Sequence, residues 1–180
     1  FLSPHCFVQP KRETSMNMDF NPELDLQLTV DVPISPEQLF EGWTRPDLLP
    51  KWFCPRPWKV VECTIEPRPG GAFNNVMQSP EGQLMPENRG CFLWVEKPRR
   101  IVWTGMMSKD FKPNLIPQLG FGFVCDLNFM PLPEGGTRFH AIVRHVDSDG
   151  KNKHEQMGFE QGWKIALSQL VELQQSLEGS

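Results

Sequence analysis

Between Asn152 and Leu177 the chain carries an apolar stripe that only a helix can present. Phe159, Trp163, Ala166, Leu167, Leu170, Leu173 and Leu177 recur at steps of three and four residues, with Glu160, Lys164, Ser168, Glu172 and Gln175 on the other side. A helix over that span is roughly 38 Å long. Such a face is too long to leave in water and too long for one strand to cover, so a curved sheet is its natural partner. Gly158 and Gly162 lie beside the start of the stripe, and each costs a helix about 1 kcal/mol relative to alanine. They mark close approach by bulky neighbours, a deliberate opening, or a first turn that is not yet helical.

The rest of the chain supplies that sheet. Leu24, Leu26, Leu28, Val30 and Val32 alternate with Asp25, Gln27, Thr29 and Asp31, the pattern of a half-buried strand. Ser35, Pro36 and Gln38 form a helix start with a capping box, and Leu39, Phe40 and Trp43 give that short helix its apolar side. Pro46 begins a second short helix through Leu48, Leu49 and Trp52, which Pro50, Pro55 and Pro57 keep brief. Six further strands are expected near 58–66, 71–78, 89–97, 100–106, 120–131 and 137–146. They are separated by Pro69-Gly70-Gly71, Pro80-Glu81-Gly82, Pro98 and Pro133-Glu134-Gly135-Gly136. The segment from Met107 to Leu119, with Pro113 and Pro117, is longer than a hairpin needs and is a candidate lid.

These elements predict an α+β helix-grip fold, with a seven-stranded curved antiparallel sheet wrapped around a long C-terminal helix and two short helices between strands 1 and 2. A bent sheet against a straight rod makes contact at one end and diverges at the other, so a cavity is expected. Residues 23–180 form one domain. Residues 1–22, with three prolines and no period, read as an N-terminal extension outside the fold, and Met16 or Met18 is a plausible natural start.

Composition narrows the function. A net charge of -4 with scattered basic residues gives no electrostatic footprint for nucleic acid. No apolar run is long enough to span a membrane, so no membrane partner and a cytoplasmic location are expected. Five cysteines without C-x-x-C spacing point to buried thiols rather than zinc or a disulfide framework. With six tryptophans, thirteen phenylalanines and no tyrosine, the aromatic surface lacks a hydroxyl handle and suits an apolar interior.

Several fragments resemble one family in the same order along the chain. Phe40-Glu41-x-Trp43-Thr44-x-Pro46 comes first, then Trp52-Phe53-x-Pro55, then Glu66-x-Arg68-Pro69-Gly70-Gly71 with Phe73 and Met77. Gly90, Glu96-x-Pro98, Ile101-Val102-Trp103-Thr104, Gly136-Thr137-Arg138 and Gly162-Trp163 with Leu167 and Leu170 follow. Over about residues 24–178 the chain looks like the Aha1-type proteins (activator of Hsp90 ATPase homologue) of the START/Bet v 1-like superfamily. The resemblance implies a helix-grip protein, mostly known from bacteria, with an apolar ligand between sheet and helix and no shared catalytic residue. It also implies two alternatives, a stress-response module associated with an Hsp90-type chaperone and an enzyme of the cyclase, hydrolase or dehydratase kind. Asn74-Asn75 depart from the family's larger or more apolar side chains at that point and make the pocket more polar.

The residues themselves carry no standard catalytic signature. His154-Glu155 opens like H-E-x-x-H, but the second ligand would fall on Gly158, so no zinc site is expected. Gly120-Phe121-Gly122 precedes a strand rather than a helix and cradles no phosphate. On the last strand Phe139, Ala141, Val143 and His145 share a face, which brings His145 to the cavity rim or makes it a hydrogen-bonded strand-end histidine. The expected ligand-binding set is Trp43, Trp52, Phe53, Phe73, Asn75, Met77, Trp103, Phe123, His145, Phe159 and Trp163, with no catalytic or metal residue and no cofactor. The expected partner is a small apolar or aromatic molecule. Phe92, Trp94 and Val124, read as an outer face, favour a homodimer over a monomer.

Overall fold

A computed structural model describes residues 20–114 and 120–179 of the chain. The alternating segment forms β1 (Asp25–Val32), followed by α1 (Pro36–Thr44) and a 3₁₀ turn at Leu49–Lys51. Ser35 starts α1 as its sequence requires: Gln38 N donates to Ser35 Oγ at 3.2 Å and Ser35 N donates to Gln38 Oε1 at 2.8 Å. The second expected helix is only the 3₁₀ turn, because Pro50, Pro55 and Pro57 each remove a backbone donor and disfavour a longer helix.

The strands that follow are β2 (Lys59–Ile65), β3 (Phe73–Gln78), β4 (Cys91–Glu96), β5 (Arg100–Thr104), the short pair β6 (Met107–Ser108) and β7 (Lys112–Pro113), then β8 (Phe123–Pro131) and β9 (Thr137–His145). The main antiparallel sheet runs β1-β9-β8-β5-β4, whereas β2 and β3 pair with each other. The expected single seven-stranded sheet is therefore a five-stranded sheet with a two-stranded ribbon joined to it by isolated bridges such as Ala72–Cys91. Asn74 contributes to the interruption, since its Oδ1 takes the Gly90 N–H at 3.2 Å.

A bulge in β4 between Phe92 and Trp94 shifts the phase of that strand. Phe92 is consequently fully buried rather than on the outer face, Val124 is half-buried, and Trp94 alone of the three is exposed. Within the expected lid, residues 107–114 form the small β6–β7 hairpin, and residues 115–119 lie outside the described ones.

The terminal stripe does not form one rod. It begins after a separate helix, α2 (Ser148–Gln156), and continues as α3 (Phe159–Glu178). The break is Gly158, held in the left-handed region at φ 85°, which costs an L-residue roughly 1–2 kcal/mol and glycine very little. Phe159, Ala166, Leu167 and Leu170 are buried against the sheet and α1, while Leu177 is exposed, so the buried stripe is shorter than its sequence period. Gly42 lets α1 and α3 touch: a Cβ there would lie 2.4 Å from Leu170 Cδ1.

Two buried amides fasten α3 laterally. Gln169 Nε2 donates to the Trp52 and Cys54 carbonyls, both at 2.9 Å, and its Oε1 accepts from Arg56 N at 2.9 Å. Gln174 Nε2 donates to the Gln38 carbonyl at 2.8 Å. Among the described residues no helix is long and apolar enough to cross a membrane.

Leucine has the bulk of Gln169 but none of its hydrogen bonds, and each buried group left unpaired costs about 1–3 kcal/mol. Gln169→Leu is expected to lower the unfolding free energy by about 2–4 kcal/mol in urea denaturation. A loss below about 1 kcal/mol would show that the amide does not fasten the 49–57 loop.

Candidate functional site

Under α3 the interior is built from rings. Trp43, on the buried side of α1, meets Trp52 edge-on at 5.0 Å and Phe53 edge-on at 5.8 Å. Around the same indole lie Trp163 of α3 at 6.0 Å, Phe73 of β3 at 6.4 Å and Phe139 of β9 at 6.5 Å. The cluster continues from Phe73 to Trp103 at 4.5 Å and from Trp103 to Phe123 at 5.3 Å. Phe159 closes it against Trp163 at 5.1 Å. All eight indole and phenyl rings of the expected set converge on this interior: α1, β3, β5 and β8 each turn one toward it, and the segment after the 3₁₀ turn and the start of α3 turn two each.

The gap expected between rod and sheet is occupied by these rings. Two concavities lie outside the ring cluster. One, of about 440 Å³, lies along α3 from Glu160 to Ser168. The other, of about 330 Å³, lies between β1 and α3 and is lined by Val30, Val32, Pro33, Leu167 and Val171. Phe53 and Trp163 are half-buried and pack on the core, so these two form the accessible rim of the ring cluster, while Met77 is half-buried further along β3. Asn75 is buried as its phase requires, but its side-chain oxygen accepts from Asn88 Nδ2 at 3.1 Å, so its partner is a neighbour within the fold.

Two indole N–H groups stand out chemically. Trp52 Nε1 donates to the Gly42 carbonyl at 3.0 Å, whereas Trp43 Nε1 is buried without a hydrogen-bond acceptor and Trp103 Nε1 has no nitrogen or oxygen acceptor, only the Cys125 thiol beside it. Trp103 lies beside the Cys125 thiol, whose protonation burial favours strongly, and a thiol sulfur is a weak acceptor. Buried polar groups in native folds are nearly always paired, so a donor left unpaired in an aromatic cluster is unusual.

At the far end of the cluster lies a pair that sequence reasoning missed. His145 ends β9; Asp147 then caps α2 by accepting from Gly150 N at 2.7 Å, and the helix returns His154 to the strand end. His145 Nδ1 is 3.0 Å from the Leu24 carbonyl, and His145 Nε2 is 2.9 Å from His154 Nδ1. A carbonyl only accepts, so His145 carries its proton on Nδ1, its Nε2 accepts, and His154 donates from Nδ1. Phe121, Phe123 and Phe159 surround His154 at 5.0, 5.2 and 5.2 Å. Burial, and then the neighbouring His145, push the His154 pKa down to about 4; burial also lowers that of His145. The structure thus makes His145 a hydrogen-bonded strand-end histidine. The signal for its partner is the same His154 that fails as a zinc ligand, a histidine in the last turn of a short polar helix. Among the described residues no three metal-ligating side chains gather.

Asp126, Asn128 and Arg144 lie on the outer sheet face, as phase counting predicts. There Asp126 is buried and accepts from Arg100 Nε at 3.0 Å and Arg100 Nη2 at 2.8 Å, with Arg144 at 3.5 Å.

A family model described as "Activator of Hsp90 ATPase homolog 1-like protein" matches residues 33–175. A crystal structure of a Nitrosomonas europaea protein is similar, with 35% identity, a TM-score of 0.83, and coverage of 89% of this chain and 100% of that one. An AHSA1 protein from Silicibacter pomeroyi (22% identity, TM-score 0.61, covering 86% and 99%) shares the fold. So does an AHSA1-like protein from Aeromonas hydrophila (18%, 0.63, covering 86% and 94%). No curated protein matches the sequence.

A closed ring cluster has an optical consequence. Trp43, Trp52 and Trp103 are buried, Trp163 is half-buried, and Trp58 and Trp94 are exposed by 37% and 51%. In a Trp58→Phe/Trp94→Phe double variant the remaining emission is expected to shift to the blue and to resist acrylamide quenching. Quenching as efficient as in the urea-unfolded chain would mean that water reaches the cluster.

Proposed function

The chain belongs to the activator of Hsp90 ATPase homologue 1-like family, and on that premise we propose that it is a non-enzymatic binding module for an apolar or aromatic small molecule bearing a hydrogen-bond acceptor, held between the sheet and α3. The observation that carries this reading is the unpaired Trp43 N–H at the centre of the ring cluster, supported by the Trp103 N–H, which meets only the weakly accepting Cys125 thiol. A carbonyl, ether or ring nitrogen on a flat ligand would satisfy such a donor while its carbon skeleton replaced ring-to-ring contacts. Entry requires the half-buried rim of Phe53 and Trp163 to move aside. The two histidines favour binding over catalysis, because they satisfy each other and the unprotonated His154 is a weak base.

A second reading, association with an Hsp90-type chaperone through the surface, is favoured by a different observation. The groove between β1 and α3 is apolar at its base and has Lys164 and Glu172 at its rim, a composition suited to an apolar anchor with polar flanks. Coprecipitation with an Hsp90-type ATPase and a change in its ATP turnover would favour this second reading.

The first reading is tested with quinoline, coumarin and flavone as acceptor-bearing probes and naphthalene as the acceptor-free control. Binding is expected to perturb the buried tryptophan emission, and Trp43→Phe is expected to weaken the acceptor-bearing probes by about 3–10-fold, the worth of one hydrogen bond, while leaving naphthalene nearly unchanged. Failure of every probe to perturb the interior tryptophans, or equal weakening of probes and control, would overturn it.

A further inference from the structure

The junction between α2 and the rest of the molecule is unusual in what holds it. Among the described residues, the His154–His145 contact is the only hydrogen bond from an α2 side chain to another element; Lys151–Glu155, Lys153–Asp149 and the Asp147 cap stay within the helix or its first turn. Apolar contacts add to it: the rings of Phe121, Phe123 and Phe159 against His154, and Gly150 passing close to Phe121. The two helices are joined by Met157 and by Gly158, a residue free to change its backbone angles. α3, in contrast, is fastened independently through Gln169, Gln174 and Leu170.

The tautomer pattern makes this hydrogen bond conditional. His145 Nδ1 must keep its proton for the Leu24 carbonyl, so His145 accepts from His154 only while its Nε2 is bare. Once His145 is protonated, two N–H groups face each other. A proton on His154 Nε2 places a charge among three phenyl rings with no carboxylate in contact. The charged groups nearest the pair are Asp25 of β1, Asp147 before α2 and Lys151 on α2. The segment before β8, β8 itself and α3 contribute Phe121, Phe123 and Phe159.

We propose that α2 is an acid-released clasp: protonation of the His145–His154 pair, which either sets a charge on His154 among three phenyl rings or brings two N–H groups face to face at His145, frees α2 to swing about Gly158, uncovering the Phe121, Phe123 and Phe159 end of the ring cluster. The release follows from the junction itself and stands whether or not a ligand enters the interior.

The direction follows from linkage. In the closed state the pair is neutral and resists protonation; in the open state His154 meets water and regains its ordinary affinity for protons. Closure is therefore fully supported above pH 6.5 and loses support as pH falls toward about 4. The open-to-closed ratio rises by about tenfold per pH unit through that window, about 300-fold in all.

Hydrogen exchange of the full chain, normalised to intrinsic rates at each pH, reads this ratio in α2 directly. Protection of residues 150–156 is expected to fall by about tenfold per unit between pH 6 and 4, while α3 beyond its first turn, β8 and β9 keep theirs. His154→Phe retains the ring but cannot bind a proton, and is expected to flatten the slope. Asp147→Asn keeps the cap without its titration and is expected to retain the wild-type slope. A wild-type α2 whose protection does not change from pH 7 to 4 overturns the proposal. So does a slope that persists undiminished in His154→Phe, one that disappears in Asp147→Asn, or one shared equally by α3 and β9. Should His154→Phe fail to fold, NMR titration of the wild-type imidazoles decides: a His154 midpoint below pH 6 that tracks the loss of α2 protection supports the clasp, and a midpoint at or above 6.5 refutes it.

Discussion

Everything in this molecule depends on α3 being held flat against a curved surface along most of its length. Hydrophobic contact through Phe159, Ala166, Leu167 and Leu170 brings it there. Contact of that kind is non-directional and would tolerate some sliding or rolling. The two buried glutamines remove that freedom, because Gln169 reads the backbone of the 49–57 loop and Gln174 reads the carbonyl of Gln38. Each amide meets partners that exist only at one rotation and one axial position. Gly42 adds a steric constraint, since Leu170 occupies the space its side chain would have needed.

With α3 so placed, the aromatic residues have little choice. Trp43, Phe73, Trp103 and Phe123 come from four different elements, and their rings meet in stacked, tilted and edge-to-face pairs in turn. The result is an apolar interior packed as a core. It is flat-walled and has two donors without a nitrogen or oxygen acceptor, yet its rings fill the space between sheet and helix. The family's fold accounts for the location of this interior, and this chain's own wealth of tryptophan and phenylalanine accounts for its being closed.

The parts of this architecture legible in the sequence are those governed by a short period. Strict alternation in β1 and the three-and-four spacing of α3 reflect constraints acting over a few residues, and both elements lie close to where the pattern put them. The capping box at Ser35 was legible for the same reason. What escaped was set by one residue out of phase or by contacts between distant segments. One bulged residue in β4 turned Phe92 inward, and Asn74 diverted a bond that a continuous ladder would have used. The filling of the expected cavity depended on ring volumes summed over several elements, a quantity no single stretch displays. His154 was visible as a residue but not as a partner, because its meeting with His145 depends on α2 turning back after Asp147.

The left-handed glycine between the two C-terminal helices also separates two histories. Residues before it form a short polar segment with little claim on the scaffold, and those after it form the member on which the scaffold is assembled. Exposed positions in residues 148–157 can therefore be exchanged without renegotiating the grip itself, so long as His154 and Gly150 keep their contacts with the sheet end. For a lineage or a protein engineer seeking new selectivity at this end of the molecule, those positions are where variation costs least.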